Sequence, residues 1–224
     1  MGELYRITWI VTNWFRSCAY YASGGWRATW AGEGGGVLMN QAPHTLDLLC
    51  HLAGMPQRVW GWTRTLAHAI ETEDTAQAML EFANGAPGYL YTTTVEAGAP
   101  QYLQIVGDRA ALELHGAQLT ISRFEPPLST FRSTSPELFA QPHMHIERPV
   151  LPSGGGDHLA VYQDLEQALR TGRRPRADGR AGRMSLELAN AIILSSHSGS
   201  AVTLPLDRAA YAALLAELKE QHRL

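Results

Sequence analysis

The sequence predicts an α+β fold, in which a mostly antiparallel β-sheet carries helices packed on one face. The middle of the chain is a run of short segments rich in β-branched and aromatic residues, separated by turns that contain glycine, proline or asparagine. Helical spacing of apolar residues occurs before this run and again after it. Short turns between consecutive strands favour antiparallel pairing, and strands and helices that are segregated along the chain favour an α+β layer.

The elements before the run are one strand segment and one helix. Residues 3–21 have strand composition but are long for a single strand, so we expect a bend. Residues 26–33 form a loop with two tryptophans and an arginine, and a helix is expected over residues 40–53, ended by Gly54. The strands of the run are then expected at residues 58–68, 75–82, 89–96, 102–106, 111–115 and 119–124.

The last third of the chain is expected to be mostly helical. A long excursion, residues 125–156, comes first, and loops of that length are usually functional or mobile. Asp157 is expected to cap the first of three helices, and Asp207 the last. These helices are expected at residues 157–170, 183–196 and 208–221.

The helix expected at residues 40–53 carries two stripes at spacings of three and four. Pro43 falls in its first turn, where a missing N–H has no cost. The apolar stripe is meant for a core and consists of Leu38, Ala42, Leu46, Leu49 and Ala53. The second stripe is polar and consists of Asn40, His44, Asp47 and His51. An amide, two imidazoles and a carboxylate in register indicate either a site or a structural network.

Three glycines, Gly34 to Gly36, directly precede this helix. Such a run lets the backbone approach a ligand closely and directs free helix amides towards it, which favours the site. In the alternative, Asn40 is only an N-cap and Asp47 only hydrogen-bonds His44 or His51. Composition and spacing leave both interpretations open.

The segment from Gly34 to Asp47 resembles a motif of the glucose-fructose oxidoreductase, inositol dehydrogenase and rhizopine catabolism family of NAD(P)-dependent dehydrogenases. Its pattern is Gly-Gly-Gly-x-Leu-x-Asn-x-x-x-His-x-x-Asp. The segment leading into it, residues 25–33, and three later segments, residues 173–179, 186–191 and 202–207, also resemble the family in order. The resemblance covers most of the chain and implies the substrate-binding and oligomerisation domain, here expected as a single domain over residues 1–224.

The resemblance also implies a dinucleotide-binding domain and a catalytic lysine, neither of which is found in this sequence. Members of the family begin with a dinucleotide-binding domain, whose first turn is rich in glycine. No Gly-x-Gly-x-x-Gly occurs in this chain, and its single lysine, Lys219, does not match the family lysine that exchanges a proton with the substrate hydroxyl. NAD or NADP is therefore implied as cofactor but is not expected to bind tightly to this chain alone. Gly35 and Gly36 are expected near the nicotinamide only in a longer protein.

The implied reaction is oxidation of a secondary alcohol of a sugar, a polyol or a related small molecule. Histidine is a common general base in enzymes, and His44 is the expected catalytic group. Asn40 stands where many members have aspartate; an amide cannot take a proton, so we expect it to bind substrate. The other expected substrate-binding residues are Asp47, Trp26, Arg27, Trp30 and His158. Alternatively, the tryptophans pack beneath their loop while Arg27 pairs with Glu33, and His158 is a solvated residue of a first helical turn.

Composition limits the other functions. With 224 residues and 45% hydrophobic residues the chain can bury a core, and its net charge of −3 favours neither nucleic acid nor membrane. Two cysteines do not make a disulfide framework, no apolar run is long enough to span a membrane, and we expect a cytoplasmic protein. His143 and His145 alone are weak indicators of metal, and no metal is expected.

The sequence also predicts self-association of the chain and leaves two rival functions open. Aromatic residues at alternate strand positions, such as Trp60 and Trp62 or Tyr89 and Tyr91, suggest that the second sheet face is covered; with the resemblance, this predicts a homodimer or homotetramer. One rival function is a sugar-binding or oligomerisation scaffold without catalysis. The other is a metal-dependent isomerase or hydrolase that uses His44, Asp47, His51 and His143.

Overall fold

The computed structural model describes residues 1–151 and 158–222 and has the predicted α+β architecture. The strands are β1 (Leu4–Val11), β2 (Arg58–Arg64), β3 (Thr75–Glu81), β4 (Pro87–Thr93), β5 (Tyr102–Gly107), β6 (Ala110–His115), β7 (Gln118–Phe124), β8 (Met144–Glu147) and β9 (Val202–Thr203). The helices are α1 (Cys18–Ala22), α2 (Val37–Asn40), α3 (Pro43–Ala53), α4 (Leu128–Thr134), α5 (His158–Thr171), α6 (Gly179–Ser198) and α7 (Arg208–Gln221).

The strands form one sheet in the order β8-β7-β6-β5-β1-β4-β3-β2-β9. The run of strands is therefore two antiparallel meanders, β2–β4 and β5–β7, and β1 lies between them. Only the β1–β4 pair is parallel among the paired strands of the described residues. Its alternate residues Ile7, Trp9 and Val11 are all buried, because they lie on the face of the sheet that contributes to the hydrophobic core.

One face of the sheet packs against helices, as predicted. Leu46 and Leu49 of α3 and Ile192 of α6 are fully buried in the same core as the inward residues of the strands. Helix α6 lies directly on β2, because a β-carbon on Gly61 would stand 2.1 Å from the carbonyl oxygen of Ile192. The Gly61 N–H donates to Ser195 Oγ at 2.8 Å, so the strand and the helix are also hydrogen-bonded.

The other face of the sheet has no helix over it in the described residues. It presents aromatic and amphipathic side chains that are partly exposed: Trp60, Trp62, Gln77, Met79, Tyr89 and Tyr91. The guanidinium of Arg58 lies 4.7 Å from the Trp60 ring centroid, and that of Arg64 lies 4.8 Å from Trp62. We call this surface the open sheet face. None of the described helices is long and apolar enough to cross a membrane.

Three expectations about individual elements were wrong. The segment at residues 3–21 is not one bent strand: β1 ends at Val11, and the Ser17 side chain caps the short helix α1. The helix expected at residues 40–53 begins only at Pro43, as α3, with the proline in its first turn as expected, and a separate short helix, α2, precedes it. The excursion at residues 125–156 contains α4 and the edge strand β8.

The caps of the last helices are partly as expected. Asp207 caps α7, its carboxylate accepting the Ala209 and Ala210 N–H groups at 2.9 and 3.1 Å. Helix α6 begins earlier than expected, because Asp178 caps it in the same way. The expected cap of α5, Asp157, lies outside the described residues.

Candidate functional site

The glycine segment is held by a residue that the sequence analysis missed, Glu73. Its carboxylate Oε1 accepts the N–H groups of Gly36 at 2.9 Å and Leu38 at 3.0 Å, and its carbonyl accepts that of Val37 at 2.9 Å. A β-carbon on Gly36 would stand 1.9 Å from the Glu73 carbonyl oxygen, so only glycine fits there. The expectation of free helix amides was therefore wrong: the protein's own carboxylate occupies them. Gly35 and Gly36 are both buried.

Glu73 is fully buried, and its environment changes its acidity. Desolvation raises the pKa of the Glu73 carboxyl to about 7, against the opposing effect of the backbone N–H groups that it accepts. The charge of Glu33 raises it further. Its second oxygen, Oε2, has no hydrogen-bond partner in the described part of the chain. Glu73 is thus the buried acid that fixes the start of α2, and near neutral pH it is poised to change charge.

Asn40 lies at the last position of α2 rather than at a helix start, so the N-cap interpretation was wrong. Its side-chain oxygen accepts from the Tyr20 hydroxyl at 3.0 Å and from Gln41 Nε2 at 2.9 Å, and its Nδ2 donates to Glu33. Gln41 Nε2 also donates to the Tyr20 hydroxyl at 3.1 Å. Asn40 is therefore the centre of a polar cluster, which we call the Asn40 cluster: Tyr20, Arg27, Glu33, Asn40 and Gln41.

Arg27 joins the Asn40 cluster through Tyr20 and not through Glu33. Its Nη1 donates to the Tyr20 hydroxyl at 2.9 Å, and its guanidinium lies 4.6 Å from the ring centroids of both Tyr20 and Trp26. Glu33 instead accepts the Ala28 N–H at 2.6 Å. Ala28 has a φ of 50°, a left-handed conformation that costs energy for a residue with a β-carbon. The loop that presents Arg27 is therefore held in a strained shape by Glu33.

The two tryptophans of this loop have different environments. Trp26 is half exposed, with a relative accessibility of 51%, and its ring stacks on Arg27. Trp30 is buried, and its indole N–H donates to the Glu71 carbonyl at 3.1 Å. The interpretation of the tryptophans as packing beneath the loop therefore fits Trp30, whereas Trp26 is free to contact a ligand.

His44, Asp47 and His51 lie on the exposed face of α3. No side-chain hydrogen bond or ion pair joins them to one another or to other described residues. A structural network between Asp47 and these histidines is therefore not present. His44 is in the first turn of α3 and follows the Asn40 cluster by four residues, so it is the titratable member of the stripe nearest to the cluster in sequence.

His158 and His145 lie apart from this region. His158 is exposed at the first position of α5. His145 lies on the edge strand β8, where its Nε2 is 3.8 Å from Glu147 Oε1. In the ranges 1–151 and 158–222, no group of three or more histidine, cysteine, aspartate or glutamate side chains could hold a metal ion.

A cavity of about 660 Å³ opens beside the loop that carries Arg27. Its wall includes Gly24, Gly25, Arg27, Thr29 and His68. His68 is fixed there, because its Nδ1 lies 3.0 Å from the buried carboxylate of Asp74 and its Nε2 lies 3.0 Å from the Arg16 carbonyl. The cavity does not include His44 or Asn40, so it adjoins the Asn40 cluster only through Arg27.

Asn40, Arg27 and Trp26 were thus predictable from sequence, and Glu33 was expected only as a partner of Arg27, whereas Tyr20, Gln41 and Glu73 were not predicted. Tyr20 lay within a segment interpreted as strand. Glu73 and Asp74 are adjacent acids directly before β3, and both are buried. Two neighbouring charges at the start of a strand were the available indication of a buried role. The region as a whole offers an aromatic ring, a guanidinium and amides, which suit a polyhydroxylated ligand.

A sequence model described as the GFO/IDH/MocA C-terminal domain matches residues 1–113, about half of the chain. Among solved structures, the WlbA dehydrogenase from Bordetella pertussis, in complex with NADH and UDP-GlcNAcA, is 30% identical, with a TM-score of 0.70. The similarity covers 92% of this chain and 56% of that one. The WlbA dehydrogenase from Chromobacterium violaceum, in the same complex, is also 30% identical over 92% of this chain and 56% of that one, with a TM-score of 0.71.

A levoglucosan dehydrogenase in complex with NADH shares the fold, with a TM-score of 0.69 and 18% identity over 92% of this chain and 59% of that one. The chain thus spans a little more than half the length of these structures. No curated protein matches the sequence significantly.

Proposed function

The chain belongs to the GFO/IDH/MocA family, as its C-terminal domain, and from this we propose that it is the substrate half of an NAD(P)-dependent dehydrogenase. The substrate in this proposal is a secondary alcohol of a sugar, a polyol or a related small molecule. The observation that carries it is the Asn40 cluster, which sets hydrogen-bonding groups and an aromatic wall just before the exposed His44. The sugar complexes of the two WlbA dehydrogenases support the same class of substrate.

In the proposed reaction, the residues of this chain bind the substrate and manage its proton. Trp26 offers a ring face to the sugar, and Arg27 and Asn40 offer hydrogen bonds. His44 accepts the hydroxyl proton as the alcohol is oxidised, or orients the hydroxyl for a lysine from another segment. Asp47 lies one turn further along the exposed face of α3, where it can act on His44 through its charge.

A nicotinamide cofactor would supply the hydride acceptor, but the described residues do not fit it. A dinucleotide is normally bound by the free amides that follow a glycine turn at the start of a helix. Here Glu73 takes those amides of α2. We therefore propose that the cofactor is bound by a dinucleotide-binding domain other than residues 1–224, and that the chain alone has no dehydrogenase activity.

Titration of the purified chain with NAD⁺ and NADP⁺, followed by calorimetry, tests this division. The expected result is no tight binding of either dinucleotide. Tight binding would contradict the view that the cofactor site lies elsewhere. The DNA immediately upstream of the Met1 codon, read in frame, gives a second test: a glycine-rich strand-turn-helix followed by Glu-Lys-Pro is expected if the chain is a piece of a dehydrogenase.

We propose further that the chain associates through the open sheet face into a homodimer or homotetramer and that it acts in the cytoplasm. Trp60 and Met79, with relative accessibilities of 39% and 62%, are large apolar residues on a face that no described helix covers. Both cysteines are free, Cys18 exposed and Cys50 buried, which is usual in a reducing compartment.

A further inference from the structure

Two guanidinium groups approach the ring of Tyr20. Arg16 lies 5.0 Å and Arg27 4.6 Å from its centroid. Each arginine also approaches a tryptophan, with Arg16 at 5.8 Å from Trp14 and Arg27 at 4.6 Å from Trp26. We call this set of five side chains the arginine stack. Each guanidinium is restricted by cation–π contacts with Tyr20 and with one tryptophan, so both positive charges are held in place before any ligand binds.

Neither arginine of the stack forms an ion pair with a carboxylate among the described residues. Other arginines of the chain do: Arg123 is 2.9 Å from Glu147, and Arg173 is 2.6 Å from Asp164. The acid that belongs to the Asn40 cluster, Glu33, is hydrogen-bonded to Ala28 and Asn40 instead. Neither positive charge therefore has a counter-ion in the part of the chain that the structure describes, and a bound anion would be attracted to both.

Each of the two guanidinium groups has one hydrogen-bond acceptor among residues 1–151 and 158–222. Arg27 Nη1 donates to the Tyr20 hydroxyl, and Arg16 Nη1 donates to the Phe15 carbonyl at 2.9 Å. The Nε of Arg16 is buried without a partner in the described residues. Since a buried donor without an acceptor is costly, this atom indicates a missing acceptor. Arg27 also lines the 660 Å³ cavity, which gives a ligand room to reach it.

We propose that the arginine stack binds an oxyanion of the substrate, so that the substrate class is an anionic sugar rather than a neutral polyol. The oxyanion is a carboxylate or a phosphate, both of which match the fork of a guanidinium. This inference rests on the proposed function, because it concerns the ligand of the same site. It assigns to Arg16 a role in recognition, and it makes Trp14 and Trp26 supports for the two cations.

Binding of four commercial sugars to the purified chain tests the proposal. UDP-glucuronate carries a carboxylate and a diphosphate, UDP-glucose only the diphosphate, glucuronate only the carboxylate, and glucose neither. Calorimetry, with tryptophan fluorescence as a second signal from Trp14 and Trp26, gives the affinities. We expect at least one anionic sugar to bind tenfold or more tightly than glucose, and its affinity to fall as NaCl is raised. UDP-glucose and glucuronate then distinguish phosphate from carboxylate.

Variants of the stack assign the binding to its arginines. Arg16→Gln and Arg27→Gln are each expected to weaken the best anionic sugar about tenfold or more, while Arg27→Lys, which keeps the charge without the fork, loses less. Arg64→Gln is the matched control. Arg64 also stacks on a tryptophan, Trp62, and also donates Nη1 to the preceding carbonyl, but it lies on the open sheet face. The Arg64→Gln protein should bind every sugar with the same affinity as the wild type.

The outcomes separate this inference from the proposed function. If glucose binds as tightly as the anionic sugars, the oxyanion site is refuted while a neutral sugar site stands. If folded Arg16→Gln and Arg27→Gln proteins bind anionic sugars as the wild type does, the arginine stack is refuted as the site, while the proposed sugar dehydrogenase function is not affected. If none of the four sugars binds, the inference is refuted for this chain. Circular dichroism and thermal melting of each variant exclude loss of folding as the cause of weaker binding, and Arg27→Lys provides the conservative comparison.

Discussion

Glu73 contacts Gly36 in two ways. Its side-chain Oε1 accepts the Gly36 N–H at 2.9 Å, and its backbone carbonyl lies so close to Gly36 that a β-carbon would not fit there. This pair determines where α2 begins and therefore where Asn40, at the end of α2, lies. A motif whose glycines suggested ligand contact thus has an internal structural cause. The glycine requirement and the position of the candidate site have the same origin.

Gly36→Ala is expected to destabilise the protein by about 3 kcal/mol or more, because the new β-carbon meets backbone rather than a flexible side chain. Urea unfolding measures the loss. Gly182→Ala in α6 is the control, since its β-carbon would meet nothing within 4 Å, and alanine is the better helix former. A Gly36→Ala protein as stable as Gly182→Ala would refute the close approach of Glu73.

The stability of the protein is expected to fall between about pH 4.5 and pH 7 through Glu73. Its pKa is about 7 in the folded protein, above the ordinary 4.5, so the folded state binds more protons in this window. The stabilisation from the protonated group is complete below pH 4.5 and is lost as the pH rises through 7. At about 1.4 kcal/mol for each pH unit, the loss is up to about 3 kcal/mol.

The Glu73→Gln variant isolates this effect, because its amide oxygen still accepts from Gly36 and Leu38 but does not ionise. Urea unfolding at several pH values should show a smaller fall in the free energy of unfolding for Glu73→Gln than for the wild type. Glu81→Gln, at an exposed carboxylate paired with Arg58, should follow the wild type. Parallel curves for all three proteins would mean that Glu73 has an ordinary pKa. Glu33 and Tyr211 interact electrostatically with Glu73, and all three proteins in this comparison retain both residues.

His44→Ala is expected to lower kcat by about a hundredfold or more in the active dehydrogenase that contains this chain, with little change in KM, since a general base acts on the transition state. Steady-state kinetics with the sugar substrate measure both constants. His51→Ala is the control, because His51 is an exposed histidine on the same helix. Unchanged turnover in His44→Ala would remove His44 from the proposed mechanism.

The two loop tryptophans should respond oppositely to substitution. Trp26→Ala is expected to raise KM several-fold while leaving stability within about 1 kcal/mol, because half of its side chain is exposed. Trp30→Ala is expected to cost about 3–5 kcal/mol, since it removes a buried ring and its hydrogen bond to the Glu71 carbonyl. Kinetics and thermal melting of both variants check the distinction, which fails if Trp26→Ala proves the more destabilising change.

The proposed homodimer or homotetramer is expected to dissociate when charged residues are introduced on the open sheet face. Trp60→Glu combined with Met79→Glu should convert the dimer or tetramer into monomers, because these large apolar residues would be buried at the interface. Light scattering after size exclusion measures the mass. Leu169→Glu, on an exposed position of α5, serves as control. A wild-type chain that is already monomeric at micromolar concentration would refute association through this face.

Part of the fold followed from local pattern alone. The two meanders and the helices α6 and α7 were predictable because period-two alternation, turn residues and capping aspartates are local properties. The position of β1 was not, because nothing within Leu4–Val11 states that it separates β4 from β5. The short helix α2 was missed, although Pro43 does lie in the first turn of a helix as expected, because that helix, α3, begins at Pro43 and not near Asn40.

The candidate site divides in the same way. Motif order along the chain identified the family and named Asn40, Arg27, Trp26 and His44, since these depend on which residues follow which. Partners that are distant in sequence came only from tertiary structure: Glu73 against Gly36, and Tyr20 against Asn40 and Arg27. Burial decided the rest, separating Trp30 from Trp26 and raising the pKa of Glu73, because desolvation depends on everything packed around a side chain and no local pattern records it.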